Sequence, residues 1–81
     1  MSLFVYPVQK VVLEGEDDML GVYGSANKAW QRAVEQLVSD GVVNDAEAKA
    51  LLEDTAMKSK LRKGEYTLIK GKVKIQKTRM L

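Results

Sequence analysis

Cysteine and histidine are both absent from this chain of 81 residues. The lack of cysteine excludes disulfides and thiolate zinc sites, so the stability of the fold must come from packing alone. The lack of histidine removes the commonest general base and the commonest transition-metal ligand. Together the two absences predict a protein that is not an enzyme, with carboxylate or lysine chemistry left as the alternative. We also predict no cofactor, no metal and no small-molecule substrate.

Long apolar runs are also missing, and none approaches the ~20 residues that a membrane-spanning helix requires. Residues 1–8 alternate like a β-strand and lack the basic leader of a signal peptide. A secreted domain of this size usually depends on disulfides. These features predict a cytoplasmic protein that does not act at a membrane.

The composition is that of one folded domain. Hydrophobic residues make up 46% and charged residues 30% of the chain, which argues against disorder of the whole chain. A chain of 81 residues is long enough for one thin hydrophobic core. We therefore predict a single domain over residues 1–81.

The first 23 residues predict a β-hairpin. β-branched and aromatic residues dominate residues 3–13, and residues 19–23 form a second short apolar run. Gly15 and its acidic neighbours lie between the two runs as a turn. Because Pro7 cannot donate a hydrogen bond to a neighbouring strand, we expect the first strand to lie at a sheet edge or to bend there.

Two helices follow in the prediction. Ser25 is an N-cap for the first helix, and Gly41 ends it. Asn44 and Glu47 form a capping box for the second helix, which Gly64 ends. The apolar stripe at helical spacing consists of Ala26, Trp30, Ala33, Val34, Leu37 and Val38 in the first helix, and of Ala48, Leu51, Leu52 and Thr55 in the second.

After residue 64 the period of the apolar positions changes to two, which predicts a strand with one wet face. The positions predicted to form its buried face are Tyr66, Leu68, Val73 and Ile75. Gly71 predicts a bulge or a tight turn, and with a turn there residues 72–80 form a fourth strand. The sequence thus predicts an α+β fold, with a three- or four-stranded antiparallel sheet and two helices on one face, in the order β-β-α-α-β(-β).

The net charge of +2 hides a strong polarity along the chain. Residues 1–54 carry four basic and ten acidic side chains, whereas residues 55–81 carry nine basic side chains and one acidic one. A basic surface can bind nucleic-acid phosphates or an acidic protein partner. The alternative is a solvated helix end beside a strand edge that lysine protects from aggregation. The nine candidate binding residues are Lys58, Lys60, Arg62, Lys63, Lys70, Lys72, Lys74, Lys77 and Arg79.

A second charged cluster holds four carboxylates within residues 14–18. Closely spaced carboxylates can bind calcium or magnesium. The glutamate that closes a twelve-residue EF-hand loop is missing, however. We interpret the cluster as the solvated tip of the hairpin.

An assembly surface is a third candidate. Pro7 marks one predicted sheet edge and residues 70–81 a second, and the chain ends on the apolar residues Met80 and Leu81. Unpaired strand edges and exposed apolar ends favour pairing with a protein partner or with a second copy of the chain.

Residues 14–34 read EGEDDMLGVYGSANKAWQRAV. This stretch is similar to a hairpin-to-helix pattern of small uncharacterised phage and bacterial proteins, in which the second strand ends in GVYSS and the helix begins with EKA. Residues 21–23, Ser25 and residues 28–29 match that pattern, whereas Gly24 and residues 26–27 do not. The resemblance implies a β-β-α start and a phage origin, hence the host cytoplasm, and it implies no functional residue.

We therefore predict a non-catalytic interaction or regulatory protein, encoded by a phage, that binds a host or viral macromolecule and can form a homo-oligomer. The alternative is a nucleic-acid-binding protein that uses the nine basic residues. A protein partner or self-association is the leading expectation for what the chain binds.

Overall fold

The computed structural model describes residues 4–64 and 67–79 and confirms the α+β class with an antiparallel sheet. Within these residues the strands are β1 (Phe4–Lys10), β2 (Asp18–Tyr23), β3 (Thr67–Ile69), β4 (Val73–Ile75) and β5 (Thr78–Arg79). The helices α1 (Ala26–Ser39), α2 (Asp45–Leu52) and α3 (Thr55–Arg62) lie between β2 and β3 in the chain. The predictions for Leu3, for Tyr66 and for the end at Met80 and Leu81 lie outside the described residues.

β1 is an internal strand, so the structure does not place Pro7 at a sheet edge. The strand order is β2-β1-β4-β3, and β5 pairs with β1 in the same register as β4. The backbone N–H of Val11 donates to the Lys72 carbonyl over 2.8 Å. Because backbone groups alternate in direction along a strand, Pro7 faces the same neighbour as Val11. It lies opposite the break between β4 and β5, where the missing N–H leaves no acceptor unpaired.

The hydrophobic core lies between the helices and one face of the sheet. Tyr6 and Val8 of β1 are buried on that face, together with Val73 and Ile75 of β4. α1 covers these residues, and its Trp30 side chain is fully buried. The largest fully buried side chains are Trp30, Leu37, Leu61, Ile75, Val8, Val34 and Val73.

The second helix of the prediction is two helices in the structure. The capping box of Asn44 and Glu47 forms at the start of α2, as predicted. α2 ends at Leu52, and the Asp54 carboxylate caps α3 by accepting from the Met57 N–H over 3.1 Å. The Trp30 indole N–H donates to the Leu51 carbonyl over 2.6 Å, and the same carbonyl accepts from the Asp54 N–H over 3.1 Å, so this hydrogen bond ties the end of α2 to α1. The chain therefore restarts at Asp54, and α3 packs against β3 and α1 instead of continuing α2.

The predicted apolar stripes are mostly correct, and they fail at the end of α1 and around the break between α2 and α3. In α1 every predicted position is buried except Val38, which is 36% exposed, and Ala29 is buried in addition. In the second stripe Ala48 is buried, whereas Leu52 and Thr55 are exposed. Leu52 ends α2 and Thr55 begins α3, so helical spacing no longer relates the two positions.

A tight turn joins β3 to β4, so the fourth strand forms. Lys70 and Gly71 have φ values of 54° and 67°, and the Lys72 N–H donates to the Ile69 carbonyl over 3.0 Å. Ile69 pairs with Val73, and cross-strand partners share a face of the sheet. Thr67 and Ile69 are consequently buried and Leu68 is 46% exposed, so the prediction of a buried Leu68 is wrong.

Among the described residues, α1 is the longest helix at 14 residues. None of the described helices has the length and hydropathy to cross a lipid bilayer.

Candidate interaction surfaces

The side of the sheet that faces away from the buried core is here called the open face. Because Tyr6 and Val8 point into the core, Val5, Pro7 and Gln9 point to the opposite side. The register then assigns one or two residues of each neighbouring strand to the same side. The open face consists of Val5, Pro7, Gln9, Met19, Val22, Leu68, Lys74, Gln76 and Thr78.

One half of the open face is apolar. Val22 is the cross-strand partner of Pro7, and Met19 is the partner of Gln9. The side chains of Met19 and Val22 are 55% and 56% exposed, although both residues belong to a strand of the sheet. A solvated sheet face normally alternates polar residues outward, so these apolar side chains are unusual at these positions.

The other half of the open face is polar apart from Leu68 of β3, and it carries an ion pair. β4 and the residues after it contribute Lys74, Gln76 and Thr78. The Lys74 ammonium pairs with the Asp17 carboxylate, which reaches over from the loop between β1 and β2. The same carboxylate accepts a hydrogen bond from the Val12 N–H over 3.0 Å.

These two contacts hold the pKa of Asp17 below its usual value. The hydrogen bond from Lys74 has the largest effect, followed by that from the Val12 N–H, while partial desolvation acts in the opposite direction. Asp17 therefore stays ionised and closes the loop of residues 11–17 onto the sheet. Leu13 projects from this loop with 96% of its surface exposed.

The acidic cluster does not act as one unit. Asp17 is used in the ion pair with Lys74, whereas Glu14, Glu16 and Asp18 are exposed. Across residues 4–64 and 67–79, no group of three acidic side chains is arranged to hold a metal ion.

The nine basic residues predicted to bind a partner occupy several places. Lys70 and Lys72 lie in the turn before β4, at one end of the sheet. Lys77 and Arg79 lie beyond β4, at the other end, five and seven residues after Lys72 and thus roughly 16–23 Å from it at ~3.3 Å per residue. Lys74 lies between them on the open face, paired with Asp17. The remaining four, Lys58, Lys60, Arg62 and Lys63, belong to α3 and its C-cap.

Lys77 brings part of this basic set together. Its ammonium donates to the Arg62 carbonyl at the end of α3 over 2.9 Å and lies 4.3 Å from the centre of the Phe4 ring. Arg79 is the cross-strand partner of Phe4. The structure thus gathers Arg62, Lys63, Lys77 and Arg79 at one end of the sheet, here called the basic end, and separates them from Lys70 and Lys72.

Two shallow hollows indent the surface. One, of about 310 Å³, is lined by Tyr23, Lys28, Gln31, Arg32 and Glu35. The other, of about 340 Å³, lies where the Lys10 ammonium pairs with the Asp40 carboxylate over 3.2 Å. Hydrogen bonding from Gln36, and secondarily from Lys10, lowers the pKa of Asp40. In the described part of the chain, Thr67 is the one buried polar side chain.

Sequence reasoning missed the apolar half of the open face. The signal was present in residues 19–23, where the outward positions Met19 and Val22 are as apolar as the inward ones. β4 shows the contrast, because Lys74 stands between the buried residues Val73 and Ile75. A strand without polar alternation is either buried on both faces or available for contact.

Comparison with known proteins finds no matching family model, no matching curated protein and no matching solved structure.

Proposed function

We propose that this chain is a non-catalytic interaction protein that binds a protein partner through the open face of its sheet. The observation that supports this proposal is the exposure of Met19, Val22 and Leu68 on a face that the described helices leave uncovered. Burial of exposed apolar side chains is the main source of free energy in protein association. The ion pair of Lys74 with Asp17 reduces the charge that a partner would have to desolvate.

The proposal includes a cytoplasmic setting, because a cysteine-free domain of this size gains nothing from an oxidising compartment. The resemblance of residues 14–34 supports a phage origin within the same proposal. The partner would then be a host or viral protein with an apolar contact surface.

Photo-crosslinking tests the open face directly. A benzoylphenylalanine placed at Leu68, which is 46% exposed, should form a discrete adduct with a partner in a lysate of the cell in which the protein acts. Excess unmodified protein should compete the adduct away. The matched control is the same probe at Val38, which is 36% exposed on α1 and lies away from the open face. Equal labelling from both positions, or none from Leu68, would contradict the proposal.

Nucleic-acid binding is the second candidate, and the basic end favours it. Lys77 holds the backbone at the end of α3 beside the start of β5, so Arg62, Lys63 and Arg79 belong to neighbouring segments. Such a cluster can contact a few phosphates without reading sequence. Phe4 is 40% exposed there and offers an aromatic surface next to the charges.

A salt titration separates the two candidates. If the basic end binds DNA, the logarithm of the binding constant for a random duplex falls with log salt by about 0.9 for each phosphate contact. Replacing Arg62 and Lys63 by Gln should then reduce this slope by about two, whereas Lys28→Gln with Lys49→Gln on α1 and α2 should leave it unchanged. Binding that is absent at low salt, or a slope that both pairs of substitutions change equally, would remove this candidate.

A further inference from the structure

The free edge of β2 is where backbone and side chains are both available for contact. Among the described strands, β2 pairs with β1 alone, along residues 18–23. Charged side chains and proline usually protect a strand edge from pairing with another strand, and residues 19–23 contain neither. The opposite edge, β3, is only three residues long and is followed by Lys70.

The register shows which backbone groups of β2 point outward. Val11 directs its N–H to Lys72, so Tyr6, Val8 and Lys10 direct theirs to β2 by alternation. Their partners on β2 are Tyr23, Gly21 and Asp18, which therefore point toward β1. Met19 and Val22 lie between these partners, with Leu20 as the extra residue of a bulge, and they direct their N–H and C=O groups to the free edge.

We infer that β2 pairs with β2 of a second copy of this chain, in an antiparallel two-fold dimer that places Met19 opposite Val22 of the other copy. In this register the outward N–H and C=O groups of Met19 face those of Val22 in the other copy, so the two residues can exchange hydrogen bonds. Their side chains, each more than half exposed, become cross-strand neighbours about 5 Å apart. This inference deepens the proposed function, since it names a second copy as the partner of the apolar half of the open face.

The residues that face each other in this register favour a second copy as the occupant. Antiparallel pairing in this register faces Asp18 with Tyr23 of the other copy, so a carboxylate meets a phenol group and no like charges oppose each other. The partner strand must carry no charge opposite residues 19–22 and must present an apolar residue at two positions, and residues 19–22 of a second β2 meet both conditions. A two-fold arrangement is also the commonest symmetry of soluble oligomers.

The dimer should be weak and should depend on concentration. One strand pair covers less than the roughly 1,200 Å² typical of stable complexes. We therefore expect a dissociation constant in the range of about 10 µM to 1 mM. Sedimentation equilibrium of the full chain across that range should show a monomer that converts to a dimer and forms no larger species.

Lysine substitutions on the same face of the sheet give a matched test. Met19→Lys and Val22→Lys place a charge at the two-fold contact and should weaken dimerisation at least tenfold. Leu68→Lys places the same charge on the same face but at the β3 edge, and it should leave dimerisation unchanged. Hydrogen exchange of the Met19 and Val22 amides should slow in concentrated wild-type protein and not in either of the two β2 variants.

The outcomes separate this inference from the proposed function. A wild-type chain that stays monomeric throughout the range, or a dimer that Leu68→Lys breaks as readily as Val22→Lys, would overturn the β2 pairing. Adducts formed from position 68 with another protein would still support the open face in the first case. If β2 pairing holds and position 68 forms no adduct, the homodimer is supported. The proposal that the open face binds another protein then fails.

Discussion

Asp17 shows how one side chain links the acidic and basic parts of the chain. It accepts a hydrogen bond from the Val12 N–H and pairs with Lys74 on the open face. The sequence places it among three other carboxylates, and nothing in its type or spacing distinguishes it from Asp18. Its role follows from the end of β1 at Lys10, which returns the loop toward β4.

Replacing Asp17 by Asn should lower stability at neutral pH and flatten the acid limb of the stability curve. The folded state holds the pKa of Asp17 below the value of about 3.9 that it has when unfolded. The contribution of the ion pair is therefore fully present above that pH and is lost as pH falls through the folded pKa. Urea unfolding at a series of pH values should show the stabilities of the wild type and Asp17→Asn converging as the pH falls below the unfolded-state pKa and through the lower folded-state pKa of Asp17.

Asp18→Asn is the control for this comparison. Asp18 is exposed and makes no ion pair with another residue in the described ranges. A difference between wild type and Asp17→Asn that stays constant with pH would show that the ion pair with Lys74 does not stabilise the fold.

At the scale of elements, the break between α2 and α3 determines where the basic residues lie. A continuous helix would carry Lys58 to Lys63 away from the sheet, whereas the restart at Asp54 turns α3 back onto β3. Leu61 is fully buried as a result, and Arg62 comes within reach of Lys77.

Removing the cap should weaken α3 in particular. Asp54→Ala deletes the acceptor for the Met57 N–H and should cost about 1 kcal/mol of unfolding free energy. Chemical denaturation measures the loss, and hydrogen exchange should show the first turn of α3 opening more often than α2. Glu53→Ala is the neighbouring control, because the C-cap of α2 uses the backbone of Glu53 for its hydrogen bonds. A merged helix of unchanged or greater stability in Asp54→Ala would contradict this account of the break.

Across the whole molecule, the open face and the basic end are separate surfaces. Met19 and Val22 lie at the β2 edge, whereas Arg62 and Arg79 lie at one end of the sheet, on the side that the helices cover. The chain can therefore associate through one surface without covering the other. Lys77 joins segments from both termini and from α3, because it touches Phe4 and Arg62.

Substituting Lys77 by Met should loosen the basic end and leave β2 unaffected. The hydrogen bond to the Arg62 carbonyl and the contact with the Phe4 ring are both at the surface, so we expect a loss of about 1 kcal/mol or less. Amide exchange should increase in the last turn of α3 and near Phe4. Dimerisation should be unchanged, and a loss of the dimer in Lys77→Met would contradict the independence of the two surfaces.

The local sequence determined most elements of this protein, but not the break between α2 and α3 or the one between β4 and β5. The alternation of residues 4–10 is visible in the local sequence, and the Ser25 cap and the capping box at Asn44 depend on contacts within a few residues, so composition and spacing predicted these three features correctly. The turn at Gly71 was also readable, because its positive φ is a property of glycine.

Only the tertiary structure decided which faces are exposed and which charges are near each other. Leu68 is exposed because Ile69 pairs with Val73, and Pro7 is internal because β5 continues along β1 after a break. The nine basic residues divide between the turn before β4, the open face, α3 and the basic end for the same reason. Strand order and register join residues that lie far apart in the chain, and the spacing of residues along the sequence carries no information about such pairings.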